Sequence, residues 1–337
     1  MDISSDQTFC DWVSVSQTHF KSHEPYNDGF KTIERPGEQV QRSALQKSLS
    51  GDHGSNLQIS SDGATVKVSG NPSRWNRSEN YHGLCLDRTK SLINEILESQ
   101  NLPPFTGGEV IKIKSDHQDR YSGAIFSRID MTGNIKSGSA NNRDAYLQYQ
   151  QTQEYPKLEK MLFGKNIYYG KSSESRTIRI YDKALQLRQT VLKKTDEPDY
   201  INSLIDWCES NGIIRFETEY KRYLRNNDLR KWQNATHEKL SNKFREDINQ
   251  MTKEIEVADL EEVPTPYLQT LCMYLSGMHP KKLLSAKTYY KHRKELKKYG
   301  YDISNDNIHM LKPKVRIITL EPAGVPDFYK HANIEGL

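Results

Sequence analysis

The sequence contains no apolar run that approaches the roughly 18–20 residues needed to cross a bilayer, so no membrane-spanning helix is expected. Its four cysteines, Cys10, Cys85, Cys208 and Cys272, lie far apart and form no C-x-x-C pair. That spacing argues against a disulfide framework or a zinc site and fits a reducing cytoplasm. None of the ten histidines stands two residues from another, so a His-x-His metal motif is missing. The opening stretch "MDISSDQTFCDW" has no basic leader followed by an apolar segment, and no secretion signal is expected from it. No internal repeat recurs at a fixed period.

What is present is a 337-residue chain, 35% hydrophobic and 27% charged, polar but with enough apolar blocks to bury a core. The net charge is only +4, yet residues 281–300, "KKLLSAKTYYKHRKELKKYG", hold eight Lys or Arg against one Glu. Length allows one large domain and a small one.

Alternation predicts strands over 11–19, 123–135 and 213–221, and hairpins over 57–70 (turning at Asp62-Gly63) and 165–189. Helical spacing predicts helices over 84–100, through most of 142–162 apart from a break at Pro156, and over 198–211, stopping at Asn211-Gly212. After residue 221 the chain reads as charged and helical, with no strand until near the C-terminus. Helices are expected over 263–277 and 285–300, the second capped by Ser285 and stopped by Gly300, with a β-wing at "VRIITLE". The expected class is α+β: a mostly antiparallel sheet with helices on one face, plus a small, mainly helical, winged-helix-like C-terminal region. The expected division is 1–221, a charged helical connector 222–262, and 263–337.

Three strands share a pattern: "SRID" at 127–130, "RTIRIYDK" at 176–183 and "IIRFETEY" at 213–220. Residues two apart share a strand face, so Arg128 pairs with Asp130, Arg179 with Tyr181, and Arg215 with Glu217; Phe126 is expected on the Arg128 side. If the three faces coincide, one surface carries two carboxylates, a phenol and three guanidiniums. Carboxylates are hard ligands for Mg²⁺ or Mn²⁺, arginine forks suit phosphate oxygens, and a tyrosine can attack phosphorus as a phenolate. R-x-D and R-x-E on strands also occur as exposed ion pairs of little consequence.

The stretches "NPSRWNRSENYHG", "SRIDMTGNI", "SRTIRIYDKALQ", "IIRFETEYKRYL", "TYYKHRKELKKYGYDI" and "VRIITLEPAGVPDFY" resemble, in order, the filamentous-phage gene II replication initiators. These are rolling-circle nickases of inoviruses and related phage and plasmid proteins. The resemblance runs from about residue 66 to 329. It implies a nucleophile at Tyr181, a companion lysine at Lys183, and acids at Asp130 and Glu217 that the chemistry suggests as Mg²⁺ or Mn²⁺ ligands. It implies nicking of double-stranded replicative-form DNA at an origin, a 5′ phosphate carried on tyrosine, and single-stranded DNA, a host helicase and a host polymerase as further partners. It implies no membrane partner, and the cytoplasm of a bacterial host cell as the expected setting. His82 is a candidate third metal ligand, with His53 behind it.

Further DNA contacts are expected from Arg74, Trp75 and Arg77 in the "NPSRWNR" loop, and from Arg128, Arg179 and Arg215 on the strands. Lys287, Lys291, Arg293, Lys294 and Lys298 are expected to contact duplex DNA from the basic helix, where Tyr289, Tyr290 and Tyr299 interleave. Tyr168 and Tyr169 are rival nucleophiles. Two other functions remain open at this level: a non-catalytic DNA-binding regulator, and a metal-dependent nuclease that uses water.

Overall fold

Period-two alternation builds most of the larger part of this chain. The computed structural model describes residues 7–33, 41–112, 119–252, 255–258, 263–276, 278–299, 301–304 and 315–331. It falls into two compact units, residues 1–253 with 320–337, and residues 254–319.

In chain order the elements of the first unit are β1 Thr8–Thr18, β2 Phe30–Ile33, β3 Gln41–Ala44, β4 Lys47–Ser50, β5 Asn56–Ser61, β6 Thr65–Gly70, α1 Leu86–Ser99, β7 Val110–Lys112, β8 Asp119–Tyr121, β9 Ile125–Lys136 and α2 Ala140–Thr152. They continue with β10 Lys160–Phe163, β11 Asn166–Tyr169, β12 Arg176–Asp182, α3 Lys183–Gln186, α4 Pro198–Asn211, β13 Ile213–Tyr220, α5 Arg222–Asn226 and α6 His237–Asn249. In the second unit β14 Ile255–Ala258, α7 Thr265–Leu275, α8 Pro280–Leu283, α9 Ala286–Lys298 and β15 Val315–Ile318 follow, before β16 Glu321–Pro322 returns to the first.

The large sheet has the order β10-β11-β12-β13-β9-β1-β6-β5-β4, with β16 on the end of β9, and its pairs are antiparallel. The fold is therefore the expected α+β class built on an antiparallel sheet. Local chemistry sets several joints. Asp62 Oδ1 accepts from the Ala64 and Thr65 amides at 2.9 and 2.7 Å, closing the β5–β6 turn at Gly63, whose φ is +95°. Helix α4 ends at Gly212 with φ +58°, where a Cβ would sit 2.0 Å from the Ser139 carbonyl.

Helices α1, α2 and α6 bury one sheet face. The stripe Leu240, Phe244 and Ile248 of α6 is fully buried there, and Asp247 beside it takes the Tyr220 hydroxyl at 2.9 Å and Arg176 at 2.8 Å. Over the other face α3 and α4 cover one end, around Ile213, Tyr81, Leu204 and Tyr329.

Three expectations change. The boundary expected at 221 falls at 253, because the apolar stripe of α6 belongs to the sheet core, and residues from 320 onward rejoin that unit. The helix expected to resume after Pro156 is instead strand β10, paired with β11. A strand, β14, does intervene after 221, and it pairs antiparallel with β15 at the expected wing.

The second unit packs α7, α8 and α9 around Leu271, Tyr274, Tyr289, Leu296 and Ile303. Ser285 caps α9 as expected, its Oγ accepting from the Thr288 amide at 3.2 Å; Gly300 lies outside the described residues. Among the described residues, no helix is long and apolar enough to cross a membrane.

Candidate active site

The three patterned strands are neighbours, in the order β12-β13-β9. Register pairs Tyr181 with Arg215 and Arg179 with Glu217 across β12–β13, and Glu217 with Thr132 and Glu219 with Asp130 across β13–β9. Directly opposed residues share a face, so Arg128, Asp130, Arg179, Tyr181, Arg215 and Glu217 come to one surface.

Two irregularities in β1–β9 pairing shape that surface. Ser14 opposes Arg128 while Val15 opposes Phe126, so one extra residue on β9 breaks the alternation. Phe126 therefore turns to the core, stacked on Trp232 with 5.3 Å between ring centroids, and not to the Arg128 side as expected. A second shift lies between Cys10 and Trp12. It leaves Asp11 as an extra residue that accepts from Asn71 and Asn80, next to Trp12 opposite Asp130.

At the centre the Tyr181 hydroxyl donates to Glu217 Oε1 at 2.5 Å. Arg179 lies 4.2 Å over the Tyr181 ring and 3.4 Å from Glu217 Oε2, and its other flank faces the Tyr168 ring at 5.6 Å. Arg128 forks onto Asp130 at 2.7 and 2.5 Å and also reaches Glu219 at 3.3 Å, which Lys221 approaches at 3.1 Å. A cavity of about 200 Å³ opens among Asp130, Glu217, Glu219, Arg128, Arg179 and Tyr168.

Burial and the adjoining Glu217 charge push the Tyr181 phenol well above its ordinary value, while Arg215 and Arg179 pull it back. Burial lifts the Asp130 carboxyl to about 7 against the pull of Arg128, with Glu219 and Glu217 adding to the rise.

Other expected residues fall elsewhere. Arg215 is fully buried: Nε donates to Asn134 Oδ1 at 2.9 Å and Nη2 to the Asn80 and Tyr81 carbonyls at 2.5 Å. Arg77 is likewise buried, donating to the Ser73 and His82 carbonyls and to the Tyr329 hydroxyl. Both guanidiniums are buried where they hold the 71–84 loop, so neither is an exposed phosphate contact. Trp75 leans on the loop at Gly51, where a Cβ would meet its ring at 3.2 Å. His82 packs edge-on against Phe9 and is not among the residues lining the carboxylate cavity. Burial, then Arg77 and Arg215, hold its imidazole down near 4. His53 pairs with Asp196 at 2.8 Å.

Lys183 is buried with its ammonium on Asn80 Oδ1 at 2.9 Å and Gln186 Oε1 at 2.8 Å. Burial and Arg215 lower it to about 7. Of the rival tyrosines, Tyr169 is buried and donates to the Gln150 carbonyl, whereas Tyr168 lines the carboxylate cavity. Sequence reading missed Glu219, two residues beyond Glu217 on the same strand face, which period-two counting would have found. It also missed Asp11 and Asn80, which only the β1 irregularity and the loop bring in.

In the second unit Lys287, Lys291, Lys294 and Lys298 are exposed along α9. Arg293 is shared with Asp302 at 3.2 Å and Lys298 with Glu295 at 2.8 Å. Tyr289 is part of the core, and Tyr290 is 58% exposed.

The donor set at the carboxylate cavity has the hard-oxygen chemistry of a Mg²⁺ or Mn²⁺ site. As the side chains stand, Arg128 occupies Asp130 and Tyr181 occupies Glu217. Among the described residues, no three of His, Cys, Asp and Glu surround a common point suited to a metal ion. Glu219 lines the same cavity as Asp130 and Glu217, and His82 does not.

Two segments of the chain match family models: residues 9–242 the N-terminal region of the replication-associated gene II protein, and residues 261–335 its C-terminal region. The replication-associated gene II protein of Escherichia phage If1 is 29% identical over 315 residues, covering 81% of this chain and 97% of that protein. A rolling circle replication initiator protein from Geobacillus stearothermophilus aligns over 72% of this chain and 80% of its own, at 12% identity and a TM-score of 0.25, too slight a likeness to carry an argument. With both regions matched in order, the chain belongs to the family of replication-associated gene II proteins.

Proposed function

We propose that this protein nicks one strand of replicative-form DNA at a specific origin and carries the 5′ phosphate on Tyr181, initiating rolling-circle replication. The observation that carries the reading is the Tyr181 hydroxyl donating to Glu217 at 2.5 Å, within a surface of arginines and carboxylates. As the phenol oxygen bonds to phosphorus, its proton passes to Glu217. The 3′ oxygen leaves with the electron pair of the broken bond and takes a proton from solvent. A phosphodiester has become a phosphotyrosine diester, so the bond energy is kept for later strand transfer. Arg179, beside both the ring and Glu217, stabilises charge on the attacking oxygen.

Mg²⁺ or Mn²⁺, held by Asp130 and Glu217, would supply Lewis-acid stabilisation of the phosphodiester. Lys183 sits too deep to touch DNA directly and positions the Asn80 loop beside the site. The protein then works in the bacterial host cytoplasm, with a host helicase and polymerase extending the freed 3′-OH. The test is incubation with supercoiled origin plasmid and Mg²⁺ or Mn²⁺, read on a denaturing gel. Nicked circles with a covalent protein–DNA band support the proposal. Nicks without the band would indicate hydrolysis by water, and neither would indicate a DNA-binding regulator.

Asp130→Asn is expected to lower nicking by about 100-fold or more, as a hard anionic ligand is lost. Its stability should move the other way. The folded pKa near 7 lies above an unfolded value of about 3.9, so the folded state binds the proton more tightly. The stability this gives wild type is lost as pH rises from about 4 through 7, at about 1.4 kcal/mol per unit at most. Asn escapes that loss. In EDTA, melting temperatures should favour the variant increasingly across this window; a variant that melts well below wild type at pH 8 would contradict the electrostatic account.

The exposed lysines of α9 should supply sequence-independent attraction to duplex DNA. Changing Lys291, Lys294 and Lys298 together to Ala is expected to weaken duplex binding by at least tenfold at low salt and flatten its salt dependence. Cleavage of a short single-stranded oligonucleotide should change little. An unaltered salt slope would remove α9 from the interface.

A further inference from the structure

Beside the carboxylate cavity lies a second one, of about 320 Å³, whose walls include Asp11, Trp12, Asn71, Arg74, Asn80 and Lys194. This is the small end of the range for ligand sites, about 300–1,000 Å³. Its wall is built rather than incidental. Asp11 Oδ1 holds the Asn71 and Asn80 amides at 2.7 and 3.0 Å, which leaves Oδ2 to a ligand. Asn71 Oδ1 accepts the Arg74 amide at 3.1 Å and so fixes the backbone that carries that guanidinium. Among the described residues, Arg74 Nε is buried without a hydrogen-bond partner. A buried donor left unpaired favours an acceptor that can reach its guanidinium.

The cavity adjoins the chemistry on two sides. Trp12 opposes Asp130 in the sheet and lies under the Arg128 guanidinium at 5.2 Å. Asn80, in its wall, bonds Lys183, two residues past Tyr181.

We propose that this cavity seats one unpaired nucleobase of the strand being cut, and that guanine is the base it selects. Guanine offers O6 and N7 as adjacent acceptors for the Arg74 guanidinium, and N1–H and N2–H₂ as donors for Asp11 Oδ2. Trp12 supplies an aromatic wall for the base plane, and the exposed Lys194 meets the phosphate that follows. No other base sets two acceptors beside two donors. Sequence selectivity at the nick thus begins in the sheet unit itself. The location of the base next to a scissile phosphate rests on the proposed nicking reaction; the selectivity does not.

The test uses full-length Tyr181→Phe protein and fluorescent single-stranded probes, read by anisotropy: dT12, dT12 with one central dG, and the same probe with 7-deazaguanine. One dG is expected to tighten binding about tenfold over dT12, and 7-deazaguanine to lose most of that gain. Arg74→Ala should no longer distinguish the dG probe from dT12, whatever its affinity for dT12. Equal affinity for dT12 and its dG form, a gain that survives loss of N7, or a gain that survives Arg74→Ala would each overturn the assignment. Should the plasmid assay give a covalent adduct while dG selectivity is absent, the base site alone falls. Should selectivity appear without any adduct, the nicking reading falls and the base site stands.

Discussion

Tyr181→Phe is expected to abolish nicking and covalent capture together, a loss of at least 10⁴-fold, while origin binding survives. The change removes one oxygen and keeps the ring. Arg179 still lies over an aromatic face, the β12–β13 register is untouched, and Glu217 keeps its contact with Arg179. The lost hydrogen bond is worth about 1 kcal/mol of stability. Gel assays for nicked circles and for the adduct, with mobility shifts for binding, separate catalysis from folding. If the adduct persists, the nucleophile is the phenol that lines the carboxylate cavity, Tyr168, whose ring shares the Arg179 guanidinium with Tyr181.

Arg215→Ala should act through the fold. This side chain is fully buried, and its fork joins Asn134 of β9 to the Asn80 and Tyr81 carbonyls of the loop. Its charge also faces the half-buried carboxylates of Asp11 and Glu217. Truncation strands those acceptors and leaves nearby negative charge without its counter-ion, at a cost of about 3–5 kcal/mol. Urea unfolding should show this loss directly. Arg215→Lys should rescue little, because an ammonium cannot span three acceptors from one position. A variant as stable as wild type but weaker in DNA binding would return Arg215 to the role of a phosphate contact.

How much of this was legible follows from which interactions are local. Strand alternation placed Arg128, Asp130, Arg179, Tyr181 and Glu217 on shared faces, and the register brings them together. Whether such a face is open is not local. An arginine two residues before a carboxylate reads alike at Arg128, which borders a cavity, and at Arg215, which the loop seals over. The irregularities at Asp11 and Ser127 shift alternation by one residue without any glycine or proline to announce them, and Phe126 was misplaced for that reason. Helix α6 was read as part of a connector because its charges mask the Leu240, Phe244, Ile248 stripe. Strand β14 went unseen since its partner, β15, lies some 60 residues on. His82 looked like a ligand because histidine type is visible in sequence and its burial between Phe9, Arg77 and Arg215 is not.

The most direct test of the central claim is to trap the protein on origin DNA, digest the adduct with nuclease and protease, and locate the modified residue by mass spectrometry. The account predicts a nucleotide on the Tyr181 hydroxyl and on no other residue of wild-type protein. A modified Tyr168, or nicked DNA without any modified tyrosine, would contradict it.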